Sequence, residues 1–129
     1  MTNFKKVEEF HKAFKLDQQK LSLTNLLKLR RSLIKEESEE VSAEFSNLLI
    51  DVACPDYEKL LKELVDLLYV VYGTAVSLNL DIDAAFDEVH RSNLSKLDDD
   101  GNPIFREDKK VLKSKNYVPA DLKKITKEK

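Results

Sequence analysis

The sequence predicts an all-α fold, a bundle of four main helices, and three observations support it. The 129 residues include only two glycines and three prolines, so few positions interrupt regular structure. Apolar residues recur at the three- and four-residue spacing of an α-helix. Hydrophobic residues make up 42% of the chain, which is too apolar for a disordered protein. We expect residues 1–129 to form one domain with a modest core, and residues from about 97 onward to form a loop and tail.

The first two predicted helices are amphipathic. One runs from Asn3 to about Lys15, and charged residues separate its apolar positions, which are Phe4, Val7, Phe10 and Phe14. After a linker, Ser22 or Thr24 can cap a second helix that runs to about Leu49.

The third predicted helix runs from about Asp56 to Leu78, with Pro55 suited to its first turn. It is apolar nearly all round from Leu64 onward, so we expect it at the centre of the fold. Asp81 or Asp83 then caps a fourth helix that ends near Lys96.

The remainder of the chain changes character. The segment DDDGNPIFREDKKVL contains Gly, Pro and short apolar pairs, which indicate a loop or a small hairpin. NYVPADLKK is predicted to be extended, with room for one more helical turn. The last residues, KITKEK, are predicted to be frayed.

Charge and cysteine content exclude several functional classes. The net charge of −2 provides no basic field for nucleic acid. Cys54 has no internal disulfide partner, which indicates a reduced, intracellular protein. No apolar run follows the N-terminal lysines, and the apolar stretch Leu60–Leu80 contains three charged residues, so we predict neither a signal peptide nor a membrane span. We expect a cytoplasmic protein that binds neither nucleic acid nor membrane.

The segment KEESEE in the second helix places four glutamates within five positions. At about 100° per residue, Glu37 falls inside the apolar stripe, Glu40 lies at its edge, Glu36 lies further out and Glu39 points away. A carboxylate on an apolar stripe is costly without a partner. A cation, Arg30 on the same stripe, or water must therefore compensate for it.

A second acidic pair occurs on the third helix, where Glu63 and Asp66 share a face. Antiparallel packing of the second and third helices would bring this pair to the level of Glu37 and Glu40. Four converging carboxylates repel one another unless hard divalent cations lie among their oxygens, and Mg²⁺ suits such a site. A solvated helix face with a structural ion pair to Arg30 is the open alternative.

The strings EESEE and ELVD together resemble the signature of the all-α nucleoside triphosphate pyrophosphohydrolases. This superfamily includes the MazG-like proteins, the dimeric dUTPases and phosphoribosyl-ATP pyrophosphohydrolase. ELVDLLYVVYGTAVSLNLD and EVHRSNLSKLDDDGNPIFREDKKVLK look most like its small MazG-like and phosphoribosyl-ATP pyrophosphohydrolase-like branch. The resemblance covers about Val7 to Leu122.

The resemblance implies a Mg²⁺ site, with Mn²⁺ able to substitute, whose ligands are Glu37, Glu40, Glu63 and Asp66. Glu36 would hold or deprotonate the attacking water, directly or through the metal. Attack at the α-phosphorus of a nucleoside triphosphate would release the monophosphate and pyrophosphate. Asn93 and Lys96, which we expect on one face of the fourth helix, would contact the phosphates. The resemblance also implies a homodimer or homotetramer.

Alternative functions remain open at this point. The same site could serve a phosphoribosyl-ATP pyrophosphohydrolase or a dUTPase-like enzyme, and a non-catalytic helical module that binds a partner protein is the alternative outside enzymes. We expect His11 and His90 to be packed or surface residues. The sequence assigns no role to Asp98, Arg106 or Lys109, and it locates no base pocket.

Overall fold

The computed structural model describes residues 1–127, which form four long helices and little else of regular structure. The long helices are α1 (Asn3–Ala13), α2 (Leu23–Ile50), α3 (Glu58–Ser77) and α4 (Ile82–Leu94). The shorter elements are a 3₁₀ turn (Leu16–Gln18), a hairpin of β1 (Ile104–Phe105) and β2 (Val111–Leu112), and α5 (Lys123–Lys127). The predicted all-α fold class is confirmed. Within residues 1–127, no single helix is long and apolar enough to cross a membrane.

Side-chain caps determine where three of the helices begin. Thr2 Oγ1 accepts a hydrogen bond from the Lys5 amide at 3.2 Å at the start of α1. At the start of α2, the cap is Ser22 and not Thr24, because Ser22 Oγ accepts from the Asn25 amide at 3.1 Å. Asp81 caps α4 in the same way. Each cap satisfies an amide that the first helical turn leaves free.

The start of α3 differs from the prediction. The helix begins at Glu58, so Pro55 lies before its first turn. Asp56 Oδ1 accepts a hydrogen bond from the Glu58 amide at 3.0 Å. A short side chain that bonds the backbone two residues on holds the chain in a turn and delays the helix.

The chain divides into two compact units, Met1–Leu78 and the residues from Asn79 onward. In the first unit, α2 and α3 pack antiparallel, and α1 packs on α3. The expectation of a single domain over residues 1–129 stays a prediction.

Gly73 allows buried polar side chains to lie against α3. A Cβ at this position would overlap Arg30 Nη2 and would lie 3.0 Å from His11 Nε2. Arg30 and His11 are only 6% and 5% exposed. Because Gly73 has no side chain, both can approach the α3 backbone closely.

Within the first unit, α3 packs against both α1 and α2, as the predicted central position requires, but part of its surface stays exposed. A stripe at helical spacing is between 37% and 62% exposed, and it comprises Leu61, Leu64, Val65 and Leu68. Leu61, Val65 and Leu68 lie roughly 140–160° around α3 from Glu63, and Leu64 lies about 100° from it. Within the first unit, α1 and α2 pack on α3 and leave this stripe largely exposed.

In the second unit, α4 holds the C-terminal segment through hydrogen bonds. Ser92 Oγ donates to the Val118 carbonyl at 2.8 Å, and the Val118 amide donates to Ser95 Oγ at 2.9 Å. The Lys123 amide donates to Asp121 Oδ1 at 3.1 Å at the start of α5. The predicted fraying is therefore wrong as far as Lys127, and Glu128 and Lys129 lie outside the described residues.

Asp98 organises the turn that follows α4. Its Oδ1 accepts hydrogen bonds from the amides of Asp100 at 3.0 Å and Asn102 at 2.8 Å. Gly101 adopts a positive φ of 77°, which glycine tolerates without strain. The predicted loop and small hairpin are confirmed.

Glu88 links α4 to the C-terminal segment and should make stability depend on pH. Its carboxylate accepts hydrogen bonds from Arg91 Nη2 at 2.7 Å and from the Asp121 amide at 3.0 Å. The Arg91 bond, followed by the Asp121 bond, lowers the pKa of Glu88 to about 2. A carboxyl group whose pKa is depressed on folding stabilises the protein above its unfolded pKa, and that contribution is lost as the pH falls toward 2.

We therefore expect the melting temperature of wild type to fall more steeply between about pH 5 and pH 2 than that of Glu88→Gln. Circular dichroism at stepped pH measures both profiles. Exposed Glu9 provides the control, and Glu9→Gln should follow wild type. Parallel profiles for wild type and Glu88→Gln would show that the lowered pKa of Glu88 does not contribute to the pH dependence of stability.

Candidate metal centre

Four carboxylates converge between α2 and α3. Glu37 and Glu40 come from α2, and Glu63 and Asp66 come from α3. Each offers one oxygen, and these oxygens all lie within 4.8 Å of one another. The structure therefore brings together the four side chains that the sequence analysis grouped.

The antiparallel register of α2 and α3 produces this convergence. Glu37 and Glu40 stand at the level of Asp66 and Glu63. Seven residues earlier on α2, Arg30 Nη2 donates to the Val70 carbonyl at 2.9 Å, and Arg30 Nε donates to Thr74 Oγ1 at 3.1 Å. Arg30 thus bonds neutral acceptors on α3, and the alternative of a structural ion pair with Glu37 is wrong.

The negative charge of the four carboxylates is only partly compensated. Glu37 Oε2 and Glu63 Oε2 are buried, and neither has a hydrogen-bond partner within the described part of the chain. A hydrogen bond with Glu40, followed by burial and the charges of Glu40 and Asp66, raises the pKa of Glu63 against the opposing charge of Lys62. The group is therefore short of positive charge.

This donor set fits a hard divalent cation. Carboxylate oxygens are the ligands that Mg²⁺, Mn²⁺ and Ca²⁺ prefer. A cation among the four would give the buried oxygens of Glu37 and Glu63 a partner and would offset the repulsion between the side chains. The geometry can therefore hold a metal ion.

Lys62 is a feature of the site that the sequence analysis did not identify. Its Nζ lies 2.6 Å from Asp66 Oδ2 and 3.8 Å from Glu63 Oε1. The hydrogen bond to Asp66 is the largest cause of a raised pKa at Lys62. The four-residue spacing of Lys62 and Asp66 on a helix is the signal that could have found this pair. Because the lysine side chain is 69% exposed, it can move into solvent when another cation binds.

The other two glutamates of the run lie outside the four-carboxylate group. Glu39 is exposed and lies 4.0 Å from Lys35 Nζ, so it points to solvent as the helical phase predicts. Glu36 is also exposed. Its assignment to the attacking water stays a prediction.

The predicted phosphate ligands belong to the second unit. Asn93 is exposed near the end of α4, and Lys96 is half-buried. Lys96 was expected on the helix, but α4 ends at Leu94 because Ser95 caps it. The Lys96 amide still donates to the Asn93 carbonyl at 3.1 Å, so the two residues remain one turn apart. Their contact with phosphate stays a prediction.

Comparison with known proteins identifies a family for this chain. A sequence model described as phosphoribosyl-ATP pyrophosphohydrolase matches residues 7–93, which is 87 of the 129 residues. The matched range contains all of α2 and α3, and therefore all four converging carboxylates. A search of curated proteins finds no match.

The convergence leads to a prediction about stability that does not depend on turnover. Mg²⁺ or Mn²⁺ should raise the melting temperature of wild type, because a ligand at about 100 times its Kd stabilises the folded state by about 2.7 kcal/mol. Glu37→Gln should lose most of this rise. Without metal, this variant should melt no lower than wild type, since it relieves repulsion in the group.

Differential scanning fluorimetry with and without EDTA measures both effects. Glu39→Gln is the matched control, because the Glu39 side chain points to solvent, away from the four carboxylates. This variant should keep the full metal response. An undiminished metal response in Glu37→Gln would remove Glu37 from the ligand set.

Proposed function

The chain belongs to the phosphoribosyl-ATP pyrophosphohydrolase family of hydrolases that act on phosphoric anhydrides, and from that premise we propose that it is a Mg²⁺-dependent nucleoside triphosphate pyrophosphohydrolase. The observation that carries this proposal is the convergence of four carboxylate oxygens within 4.8 Å of one another. Two of these residues, Glu37 and Glu63, also have a buried oxygen without a hydrogen-bond partner in the described part of the chain. A site with so much uncompensated negative charge suits a metal and a phosphate chain together.

The convergence of four carboxylates supports the proposed metal ligands, and the resemblance supports the other roles. Glu37, Glu40, Glu63 and Asp66 hold the cation between α2 and α3. When bound, Mg²⁺ offsets phosphate charge, lowers the pKa of water and sets an in-line geometry. Glu36 directly precedes Glu37 on α2 and is exposed, and its carboxylate is proposed to accept the proton of the attacking water.

The reaction in this proposal is hydrolysis at the α-phosphorus. The water oxygen forms a bond to that phosphorus as its proton passes to Glu36. The bond between the α-phosphorus and the bridging oxygen breaks, and pyrophosphate leaves with the bonding electron pair. The products are a nucleoside monophosphate and pyrophosphate, and no redox partner is needed. Asn93 and Lys96 are proposed to donate to the phosphates on the strength of the resemblance.

Phosphoribosyl-ATP is the second candidate substrate, because the matching family is described by that activity. The same four carboxylates would serve it, since the bond cleaved is again a phosphoric anhydride that releases pyrophosphate. dUTPase-like activity differs only in the base and sugar. The metal site is the same for all three activities, so only a panel of substrates can distinguish them.

We also propose that protomers associate through the exposed stripe of α3. Leu61, Val65 and Leu68 present apolar side chains that are 49–62% exposed. Burying apolar surface contributes roughly 25 cal/mol per Å², so a second copy that covers this stripe would stabilise both chains. The stripe faces away from Glu63, so association leaves the carboxylate group accessible. A homodimer or homotetramer is the expected form.

Loss of one metal ligand should stop catalysis and leave the fold intact. We expect Glu40→Gln and Asp66→Asn each to lower pyrophosphate release by more than about a hundredfold, because changes even in the outer shell of a metal site cost about 10–100-fold. Pyrophosphate and orthophosphate are assayed separately with a panel of (d)NTPs and phosphoribosyl-ATP in Mg²⁺.

The matched control is Glu39→Gln, which should retain wild-type turnover because its side chain points to solvent. Retained turnover in both ligand variants would reject the ligand set. Release of orthophosphate in place of pyrophosphate would reject attack at the α-phosphorus.

Association through α3 should be visible as molecular mass. Light scattering after size exclusion should give about two or four times the chain mass of 14.9 kDa. Leu68→Asp should shift the mass toward the monomer, because it places a charge in the apolar stripe. Val52→Asp, at an exposed loop position, is the control and should not change the mass. A monomeric wild type would contradict the proposal.

A further inference from the structure

Lys62 is a basic side chain in contact with the four-carboxylate group. Its Nζ lies 2.6 Å from Asp66 Oδ2 and 3.8 Å from Glu63 Oε1. Within residues 1–127, no other lysine or arginine nitrogen lies within 4.0 Å of an oxygen of the group. Arg30, seven residues before Glu37 on α2, bonds neutral acceptors on α3 instead. The roles proposed above leave Lys62 without a function.

Helix stability alone is a weak reason for this contact. Lys62 precedes Asp66 by four residues, and a cation before an anion at this spacing stabilises a helix less than the reverse order. The lysine side chain is 69% exposed, and an exposed ion pair contributes little to folding. Lys35 forms an ordinary surface pair of the same spacing with Glu39, at 4.0 Å and away from the group. The contact of Lys62 therefore bears on the site more than on the helix.

The Lys62 ammonium and a divalent cation draw on the same carboxylates. Glu63 and Asp66 are two of the four proposed metal ligands, and the ammonium lies at hydrogen-bond distance from Asp66. Two neighbouring cations repel each other, so a bound metal ion would turn the ammonium away from Asp66. The side chain is free to turn, because it is flexible and mostly in solvent. Lys62 therefore opposes the binding of a metal ion by itself.

A phosphate chain gives the displaced ammonium a new partner. The backbone of Lys62 is fixed on α3 next to Glu63, so the ammonium remains within reach of the metal site when it leaves Asp66. Phosphates bound to the metal add several negative charges to a group that already contains four carboxylates. Lysine binds phosphate as a compact point charge with three donors. The balance of charge therefore favours a contact between Lys62 and a metal-bound phosphate.

We propose that Lys62 exchanges partners: it bonds Asp66 until a divalent cation binds, and it then donates to a phosphate of the substrate. The inference rests on the proposed function, because the four carboxylates determine where the metal and the phosphates lie. Lys62 thereby weakens the binding of the metal alone and strengthens the binding of a metal–phosphate complex. The exchange makes the site select a metal-bound polyphosphate over the free cation.

Two binding measurements on the full chain test this exchange without turnover. The first is the affinity for Mn²⁺ alone, measured from the electron paramagnetic resonance signal of the free ion. Lys62→Gln should bind Mn²⁺ at least about threefold more tightly than wild type, because no ammonium bonds Asp66. The second is the affinity for pyrophosphate in excess Mg²⁺, measured by isothermal titration calorimetry. Lys62→Gln should bind pyrophosphate at least about fivefold more weakly, the effect of one lost hydrogen bond.

The opposite signs of these changes distinguish the exchange from a structural role. A variant that merely disturbed α3 would weaken both affinities. Lys62→Arg keeps a positive charge and N–H donors, so it should restore both affinities toward those of wild type. Lys35→Gln is the matched control, because it removes a lysine that pairs with Glu39 outside the group. It should change neither affinity by more than about twofold, since salt screens exposed charges.

The outcome is separable from that of the proposed function. Pyrophosphate release from (d)NTPs, together with affinities that Lys62→Gln leaves unchanged or shifts in the same direction, would overturn the exchange and leave the reaction standing. Opposite shifts of the two affinities in a protein that hydrolyses no nucleotide would support the exchange and reject the reaction.

Discussion

Electrostatic repulsion among four carboxylates is the constraint on which the site depends. The antiparallel packing of α2 and α3 places Glu37, Glu40, Glu63 and Asp66 within reach of one another. Buried oxygens without partners and the contact between Glu40 and Glu63 show that the chain does not compensate this charge by itself. The exposed ammonium of Lys62 offsets only part of it. A bound cation would turn a destabilising group into a ligand set, at the cost of stability in its absence.

Two turns away from the carboxylates, α2 and α3 are joined by buried polar contacts. There Gly73 lets Arg30 and His11 approach the α3 backbone, and the guanidinium is tied to Val70 and Thr74. These bonds fix the register of α2 against α3, because a shift by one residue would break them. Buried polar contacts of this kind specify alignment more than they add stability. The register that Arg30 holds is also the one that aligns the acidic pairs.

Local signals were sufficient for most of the fold, and long-range contacts account for the differences. Ser22 and Asp81 are strong caps, so the starts of α2 and α4 agree with the sequence. The start of α3 was misplaced because the Asp56 side chain bonds its own backbone. The helical phase was enough to predict that the two acidic pairs face each other. Whether Arg30 bonds a glutamate or the α3 acceptors Val70 and Thr74 depends on the register between the two helices, which the sequence does not show. The apolar sequence of α3 predicted its position between α1 and α2, but it did not predict which of its apolar residues stay exposed.

Metal binding at the four carboxylates is the central claim, and anomalous diffraction from crystals grown with Mn²⁺ tests it most directly. Data collected at the manganese edge should show a peak between Glu37, Glu40, Glu63 and Asp66, with Lys62 turned away from Asp66. Carboxylate oxygens should lie at bonding distance from the peak, and no equivalent peak should occur in a Glu37→Gln crystal. Manganese bound elsewhere on the chain, with these four side chains unliganded, would contradict the account.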